Sequence, residues 1–87
     1  MNISYNKNFI KNYKRRISTN KKLITKFKQQ YAKFIKNRND PTLSDHKLIG
    51  KMRKYRSFSI TGDIRIIYKI VGNDVWFYDI GSHNQVY

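Results

Sequence analysis

The sequence contains no cysteine and no glutamate, and aspartate is its only acidic residue, at five positions among 87. Without cysteine the chain has no disulfide framework, no cysteine-ligated zinc site and no thiol nucleophile. No glycine-rich phosphate loop, Ser-His-Asp triad in a recognisable frame or pair of glycosidase carboxylates is visible either. These enzyme classes are therefore excluded.

Long apolar runs are also missing. Residues 64–68 form one of the longest, and it is interrupted by an arginine, whereas a membrane helix needs roughly 20 apolar residues. Residues 1–9 lack the apolar region and the small-residue cleavage site of a secretory signal. We therefore expect a cytoplasmic protein that does not span a membrane.

Positive charge dominates the composition. Nineteen Lys and Arg residues face five acids, which gives a formal net charge of +14. Residues 1–39 carry 12 of the basic residues and no acid. A chain that repels itself this strongly is expected to bind an anionic partner: nucleic acid, an acidic protein or a membrane surface. The aromatic content of 15% argues against disorder, because that much ring area can build a core.

The length predicts one domain, residues 1–87. A short β-compatible segment at residues 2–5 precedes two stretches with helical apolar spacing, at about 8–17 and 20–37. Residues 37–50 read as a loop. Three β-branched and aromatic segments then form a predicted meander, at 55–61, 64–71 and 75–80. The predicted class is α+β, with two N-terminal helices packed on a small antiparallel sheet in the order β-α-α-β-β-β.

Alternation along the strands predicts basic residues in the middle of the sheet face that the helices leave free. Arg65 and Lys69 fall on the side of their strand opposite Ile64, Ile66 and Tyr68. On the preceding strand, Arg56, Phe58 and Ile60 point one way and Tyr55, Ser57 and Ser59 the other, and Arg56 is expected to lie close to Arg65. The alternative is that this is simply the solvated side of a small sheet.

The only two histidines, His46 and His83, both fall outside the helices, near the predicted sheet. Their spacing matches no zinc motif and no third ligand is evident, so no metal site and no cofactor are predicted. Cleavage of RNA by side chains alone needs a base for the 2′-hydroxyl, cations for the phosphorane and an acid for the 5′-oxygen. The sequence holds all three kinds of group. Asp45, next to His46, fits a turn or cap better than a base.

Several segments together resemble the RelE/ParE superfamily of toxin–antitoxin toxins, and within it the YafQ-like branch, over essentially the whole chain. They are the D-H-K-L-I-G loop at residues 45–50, Tyr55-Arg56, the strand G-D-I-R-I-I-Y at 62–68, and the terminal G-S-H with V-Y at 81–87. The resemblance implies a metal-independent, ribosome-dependent endoribonuclease that cuts mRNA in the ribosomal A site. Its implied partners are mRNA, the ribosome and a cognate antitoxin.

The resemblance also implies roles for individual residues. His83 matches the C-terminal catalytic position and is the expected general acid, and Tyr87 matches an aromatic that stacks on a base or orients the phosphate. His46 and Asp63 are the candidates for the base or for positioning it, and Arg65 is expected to stabilise the phosphorane. Four further cations are expected to bind RNA: Lys47, Lys51, Lys54 and Arg56.

The match departs from the YafQ-like pattern at two positions. Ser59 stands where YafQ-like toxins carry a histidine, and Ile64 where they carry a tryptophan, which implies a site that combines YafQ-like and RelE-like features. Other interpretations remain open at this level: a non-catalytic, gyrase-inhibiting toxin of the ParE type, or a basic RNA-binding module. Arg65 has a structural alternative too, an ion pair with Asp63 or Asp79 across the sheet.

Overall fold

The computed structural model describes all of residues 1–87 and contains three helices and one five-stranded sheet. The elements in chain order are β1 (Ile3–Tyr5), α1 (Lys7–Arg16), α2 (Lys21–Lys36), β2 (His46–Lys47), β3 (Arg56–Ser59), β4 (Ile64–Val71), β5 (Asp74–Ser82) and α3 (His83–Val86). Short 3-10 turns at Pro41–Leu43 and Gly50–Met52 flank β2. The two predicted helices and the predicted meander are confirmed.

Asparagine caps begin both long helices. The Asn6 side chain accepts a hydrogen bond from the Asn8 N–H, and that of Asn20 accepts from the N–H groups of Lys22 and Leu23 at 3.0 and 3.2 Å. These bonds satisfy donors that the first helical turn leaves without a partner. Because Asn20 caps α2, the chain passes from the end of α1 to the start of α2 within residues 17–20.

The sheet has the strand order β1-β5-β4-β3-β2 and is mixed. β2, β3, β4 and β5 pair antiparallel, whereas β1 pairs parallel to β5, with Ile3 opposite Val75. The predicted α+β class is confirmed, and the expectation of a wholly antiparallel sheet needs this correction. The physical reason is that β1 reaches the sheet from the opposite chain end, with two helices in between, so no hairpin dictates its direction.

The helices cover one face of the sheet with an aromatic core. Phe34 of α2 stacks on Phe58 of β3 at a ring-centroid distance of 4.4 Å, and both rings pack against Tyr68 and Phe77. All four side chains are buried. These four rings make a large contribution to the hydrophobic driving force for folding, because aromatic side chains bury a large apolar area each.

A second, smaller apolar cluster lies on the opposite face. Leu48, Ile67 and Val86 are buried there, with Met52, Tyr55 and Tyr78 packed around them. The segment after β2 and the C-terminal turn α3 therefore fold over the face that the long helices leave free. The predicted loop at residues 37–50 contains β2, and the predicted terminal loop contains α3; neither short element was expected.

The expectation that Arg56 lies close to Arg65 is wrong, because the two side chains lie on opposite faces of the sheet. Arg56 lies on the helix-covered side of β3, where its Nε donates to Asp45 Oδ1 at 2.8 Å. The other Asp45 oxygen accepts a hydrogen bond from the buried Tyr68 hydroxyl. Side chains alternate along a strand, so Arg56 follows Phe58 to the core side and Ser57 takes the open side.

None of the helices is long and apolar enough to cross a membrane.

Candidate active site

A cavity of about 370 Å³ opens on the sheet face opposite the long helices. Four of the five predicted catalytic residues line it: His46 from β2, Arg65 from β4, and His83 and Tyr87 from the C-terminal turn. Apolar side chains from the segment after β2 complete its wall, namely Leu48, Ile49 and Met52. The sheet thus brings together groups that are up to 41 positions apart in the sequence, as are His46 and Tyr87.

The C-terminal turn places His83 and Tyr87 at the rim. The Gln85 side-chain oxygen accepts the Ser82 N–H at 2.7 Å, and the Tyr87 N–H donates to the His83 carbonyl at 3.1 Å. Val86 anchors the turn in the small apolar cluster. The rings of His83 and Tyr87 meet edge to face with their centroids 4.5 Å apart, so the two side chains contact each other at the cavity.

Gly81 leaves space for side chains that pack against the start of the C-terminal turn. A Cβ atom at position 81 would lie 2.6 Å from Arg16 Nη1 and 2.7 Å from Gln85 Oε1. Arg16 also donates from Nη1 to the Ile80 carbonyl at 2.8 Å, so its guanidinium is held against this end of β5. The glycine of the G-S-H segment therefore has a steric explanation that the sequence did not reveal.

The His46 ring is oriented by one backbone contact. Its Nδ1 lies 2.9 Å from the Ser44 carbonyl oxygen, which can only accept, so Nδ1 carries the proton. In the neutral ring, Nε2 is then left with a free lone pair. Ser44 has a φ of 48°, in the left-handed region, and this local turn of the backbone directs its carbonyl to the histidine.

Arg65 supplies an uncompensated positive charge. The two ion pairs in the structure join Arg16 to Asp79 and Arg56 to Asp45, so the alternative that Arg65 pairs with Asp63 or Asp79 is wrong. Arg65 is half-buried, and its Nη1 donates to Ser59 Oγ at 3.2 Å. Ser59, which stands where YafQ-like toxins carry a histidine, thus helps to orient the Arg65 guanidinium.

The structure does not bring Asp63 into the cavity. Asp63 lies exposed in the turn between β3 and β4, where its own N–H donates to Thr61 Oγ1 at 3.2 Å. Thr61 Oγ1 also accepts the Ile64 N–H at 3.0 Å, so the hydroxyl closes this turn. Asp63 is therefore separated from His46, the other candidate for the base.

The predicted RNA-binding cations divide into three environments. Lys47 and Lys54 line a separate cleft of about 340 Å³, together with Arg53, Arg56, Tyr55 and Ile70. Lys51 is exposed in the 3-10 turn after β2 and lines neither space. Burial acts to lower the pKa of the Arg56 guanidinium, but its hydrogen bond to Asp45 and the charge of that carboxylate raise it above the ordinary value.

Asp45 is the residue that sequence reasoning misjudged. It caps nothing; its carboxylate is only 6% exposed and holds Arg56 and Tyr68 in one buried network. Burial raises the pKa of the Tyr68 hydroxyl, and the hydrogen bond to Asp45 raises it further. No local sequence pattern indicates such a network, because its members lie on different segments of the chain.

No group of three or more His, Cys, Asp or Glu side chains is placed to hold a metal ion.

Comparisons with solved structures show the fold. YafQ from E. coli strain BL21(DE3) superposes with a TM-score of 0.79 at 22% identity, covering 99% of this chain and 97% of that one. A YoeB/ParE toxin from Agrobacterium tumefaciens gives 0.80 at 18%, covering 95% and 99%. YafQ in the E. coli DinJ–YafQ complex gives 0.74 at 24%, covering 99% and 97%. Among curated protein sequences, no significant match was found.

The comparison with family models gives the assignment. The model described as "Bacterial toxin of type II toxin-antitoxin system, YafQ" matches residues 1–87, the whole chain. The RelE/ParE-like architecture and the resemblance found in the sequence are thereby confirmed. The chain belongs to the YafQ family of bacterial toxins of type II toxin–antitoxin systems.

Proposed function

We propose that this toxin is an endoribonuclease that cleaves mRNA in the ribosomal A site and so inhibits translation. The observation that carries the proposal is the convergence of His46, Arg65, His83 and Tyr87 on one cavity. His46, Arg65 and His83 supply the base, cation and acid that cleavage of RNA by side chains requires, and Tyr87 adds a ring that can contact a base.

The proposed reaction begins at His46. Its free Nε2 takes the proton of a ribose 2′-hydroxyl, while Nδ1–H stays bound to the Ser44 carbonyl. The 2′-oxygen forms a bond to phosphorus, and the bond from phosphorus to the 5′-oxygen breaks. His83 gives its proton to that 5′-oxygen, which leaves a 2′,3′-cyclic phosphate and a free 5′-hydroxyl. Asp63 has no part in this scheme, because it lies outside the cavity lining.

Arg65 supports the scheme electrostatically. With no carboxylate paired to it, its guanidinium is free to stabilise the charge that builds on the phosphorane oxygens. Ser59 holds one of its nitrogens, which limits the rotation that must be frozen when the phosphate binds. Tyr87, packed against His83, offers a ring against which the adjacent base can stack.

The charge distribution supports the two proposed classes of macromolecular partner. Residues 1–39 carry 12 basic residues and no acid, a surface suited to ribosomal RNA phosphates and, at other times, to an acidic antitoxin. The related E. coli YafQ is found in a complex with DinJ. Binding to ribosomes is expected to weaken steeply as the salt concentration rises, because condensed counterions are released on binding.

The decisive experiment places the protein and its His83→Ala variant on ribosomes that hold a defined mRNA with an open A site. The 5′ ends are mapped, and ribosome-free RNA is treated in parallel. We expect one ribosome-dependent cut that the variant loses, since His83 is exposed and its removal leaves the core intact. Asn84→Ala, a change at the next exposed residue, is the matched control and should cut normally.

No cut by either protein, with the folds verified by circular dichroism, would refute the endoribonuclease proposal. Gyrase inhibition and simple RNA binding would then be measured instead. An equal cut by wild type and His83→Ala would keep the activity but remove His83 from the mechanism.

A further inference from the structure

A cross-strand row of side chains crosses the open sheet face beyond the active-site cavity. Tyr55 precedes β3, Lys69 lies on β4, and Trp76 is the register partner of Lys69 on β5. Lys69 Nζ lies 4.7 Å from the ring centroid of Trp76 and 5.8 Å from that of Tyr55. We call these three residues the aromatic row; it has no part in the proposed reaction.

The two rings of the aromatic row pack against a third aromatic side chain. Tyr78 packs on both of its rings, at centroid distances of 4.9 Å to Tyr55 and 5.5 Å to Trp76. Tyr55 and Tyr78 in turn pack on the small apolar cluster around Ile67. The rings are therefore held in place beneath, while all three members of the row stay only half-buried.

Lys69 has no acidic partner. Neither of the two ion pairs includes it, so the ring faces are its described contacts. A cation–π contact at a partly exposed site is weak compared with a charge-assisted bond to phosphate. A phosphate bound nearby would therefore compete with the rings for the Lys69 ammonium.

The surroundings are cationic as well. Tyr55 also lines the neighbouring cleft, whose other charged members are Lys47, Arg53, Lys54 and the paired Arg56, without any carboxylate. The acid nearest to the row in sequence is Asp74, two residues before Trp76 at the start of β5, where its Oδ1 accepts the Asn2 N–H at 3.3 Å. Aromatic faces beside a cationic cleft are the combination that proteins use to bind single-stranded nucleic acids.

The position of the row relates it to the cavity. Arg65 and Lys69 lie on the same side of β4, four residues apart, which is about 13 Å at the usual rise per residue. Ile67 lies between them, and Leu48 and Val86 cover it. An RNA strand bound in the cavity can thus continue across the small apolar cluster of Leu48, Ile67 and Val86 to the aromatic row.

We propose that the aromatic row and the adjacent cationic cleft bind an unpaired stretch of RNA next to the cleavage site on the ribosome, with one base stacked on Trp76 and a neighbouring phosphate held by Lys69 and the cleft lysines. This inference rests on the proposed function for the identity of the ligand. The shared chemistry, an unpaired base next to a phosphate, can be supplied by the mRNA or by a ribosomal RNA loop.

Trp76 is the only tryptophan in the chain, so its fluorescence reports on the row alone. The wild-type protein is titrated with a short 2′-O-methyl oligoribonucleotide, which lacks the attacking hydroxyl and cannot be cut. An abasic oligomer of equal length is titrated in parallel. We expect strong quenching by the first and little by the second, although both bind through their phosphates. Equal signals from the two, or no quenching at low salt, would overturn the proposal.

Variants test the contribution of each side chain, with a labelled oligomer followed by anisotropy. Trp76→Leu keeps the apolar cover of the sheet and should weaken binding roughly tenfold, whereas Trp76→Phe should keep part of the affinity. Lys69→Gln should weaken binding more than Lys36→Gln, a matched loss of charge at an exposed position on α2. Equal effects of the two lysine changes would reduce the row to general electrostatics and contradict the proposal.

The ribosome assay then separates the two sources of RNA. Where mRNA supplies the base, Trp76→Leu slows cleavage only on messages that extend beyond the A-site codon; where ribosomal RNA supplies it, the defect persists on truncated messages. Quenching without any ribosomal cut by the wild type would retain the RNA site and reject the proposed function. A ribosomal cut without base-dependent quenching would keep the proposed function and reject the RNA site at the aromatic row.

Discussion

Arg56 Nε and Asp45 Oδ1 lie 2.8 Å apart on the helix-covered side of the sheet, where the carboxylate also accepts the Tyr68 hydroxyl. This ion pair turns a residue expected to bind RNA into one that joins β3 to the segment before β2. The Asp45 side chain is 6% exposed and that of Arg56 32%. Such a pair acts mainly as a structural link, because its carboxylate has lost its access to water.

Arg56→Ala should therefore lower stability more than activity. The change leaves the buried Asp45 carboxylate with Tyr68 as its one remaining side-chain partner, so we expect a loss of roughly 1–3 kcal/mol in the free energy of unfolding. Urea denaturation measures this loss. The ribosomal cleavage rate of the folded protein should fall less than tenfold. Lys54→Ala, at an exposed neighbour, is the control and should leave stability unchanged.

Tyr68 should make the protein sensitive to alkali. Burial and the hydrogen bond to Asp45 raise its pKa, so the folded protein holds this proton more tightly than the unfolded chain does. The stabilisation is complete below the unfolded pKa of about 10 and is lost as the pH rises beyond it. Tyr68→Phe should be less stable at pH 7 by about 1 kcal/mol, and the gap should narrow in unfolding curves above pH 10. A constant gap would contradict this assignment.

Gly81→Ala should damage the active site from outside the cavity. The added methyl group meets Arg16 Nη1 and the Gln85 side chain, which positions the turn that carries His83. Both side-chain ends must move aside, and Gln85 Oε1 then loses the Ser82 N–H, so we expect cleavage to fall several-fold as His83 is displaced. Gly62→Ala is the matched control, because nothing lies within 4 Å of its Cβ position. Similar losses in both variants would refute the steric argument.

Arg65 should contribute to the transition state and not to the fold. Its one described side-chain bond goes to Ser59, so Arg65→Ala should keep the unfolding midpoint within the usual range of surface changes. The cleavage rate should fall by roughly 10²–10³, as when one oxyanion donor is removed. Single-turnover cleavage on programmed ribosomes measures it. Ser59→Ala should cost far less, and an effect as large as that of Arg65→Ala would contradict the supporting role of Ser59.

Ser57→Ala should stabilise the protein. The Ser57 hydroxyl is buried on the open face without a hydrogen-bond partner, and an unpaired buried hydroxyl costs about 1–3 kcal/mol. Replacement by a methyl group removes that cost and keeps the strand pairing with His46. Thermal and urea unfolding should both shift upward. A lower midpoint would show that the hydroxyl has a partner in solution.

Most of the architecture could be predicted from local patterns. Apolar residues at helical spacing located α1 and α2, and runs of β-branched and aromatic residues located β3, β4 and β5. The direction of β1 could not be predicted, because a strand that pairs with Val75 from the other end of the chain has no local register signal. The two-residue β2 and the one-turn α3 were missed for a related reason: elements this short exist only through the sheet they contact.

The site divides in the same way. The residue types and their order in the chain were enough to single out His46, Arg65, His83 and Tyr87, all of which line one cavity. The sequence could not separate them from Asp63 and Arg56, which carry equally suitable chemistry. The structure excludes Asp63 from the cavity because it lies in the β3–β4 turn, and Arg56 because its side chain lies on the helix-covered face of β3. The sequence alone does not show which face of a strand the helices cover.

By itself, then, the sequence determined the charge, the helices, the meander and the list of candidate catalytic groups, because these depend on residue types and near-neighbour spacing. The tertiary structure decided which of those groups meet. It buried Asp45 against Arg56 and Tyr68, left Arg65 without a counter-ion, and brought the C-terminal turn over the open face through Val86. These are contacts between distant segments, whose pairing is set by the packing of the whole core and not by any local pattern.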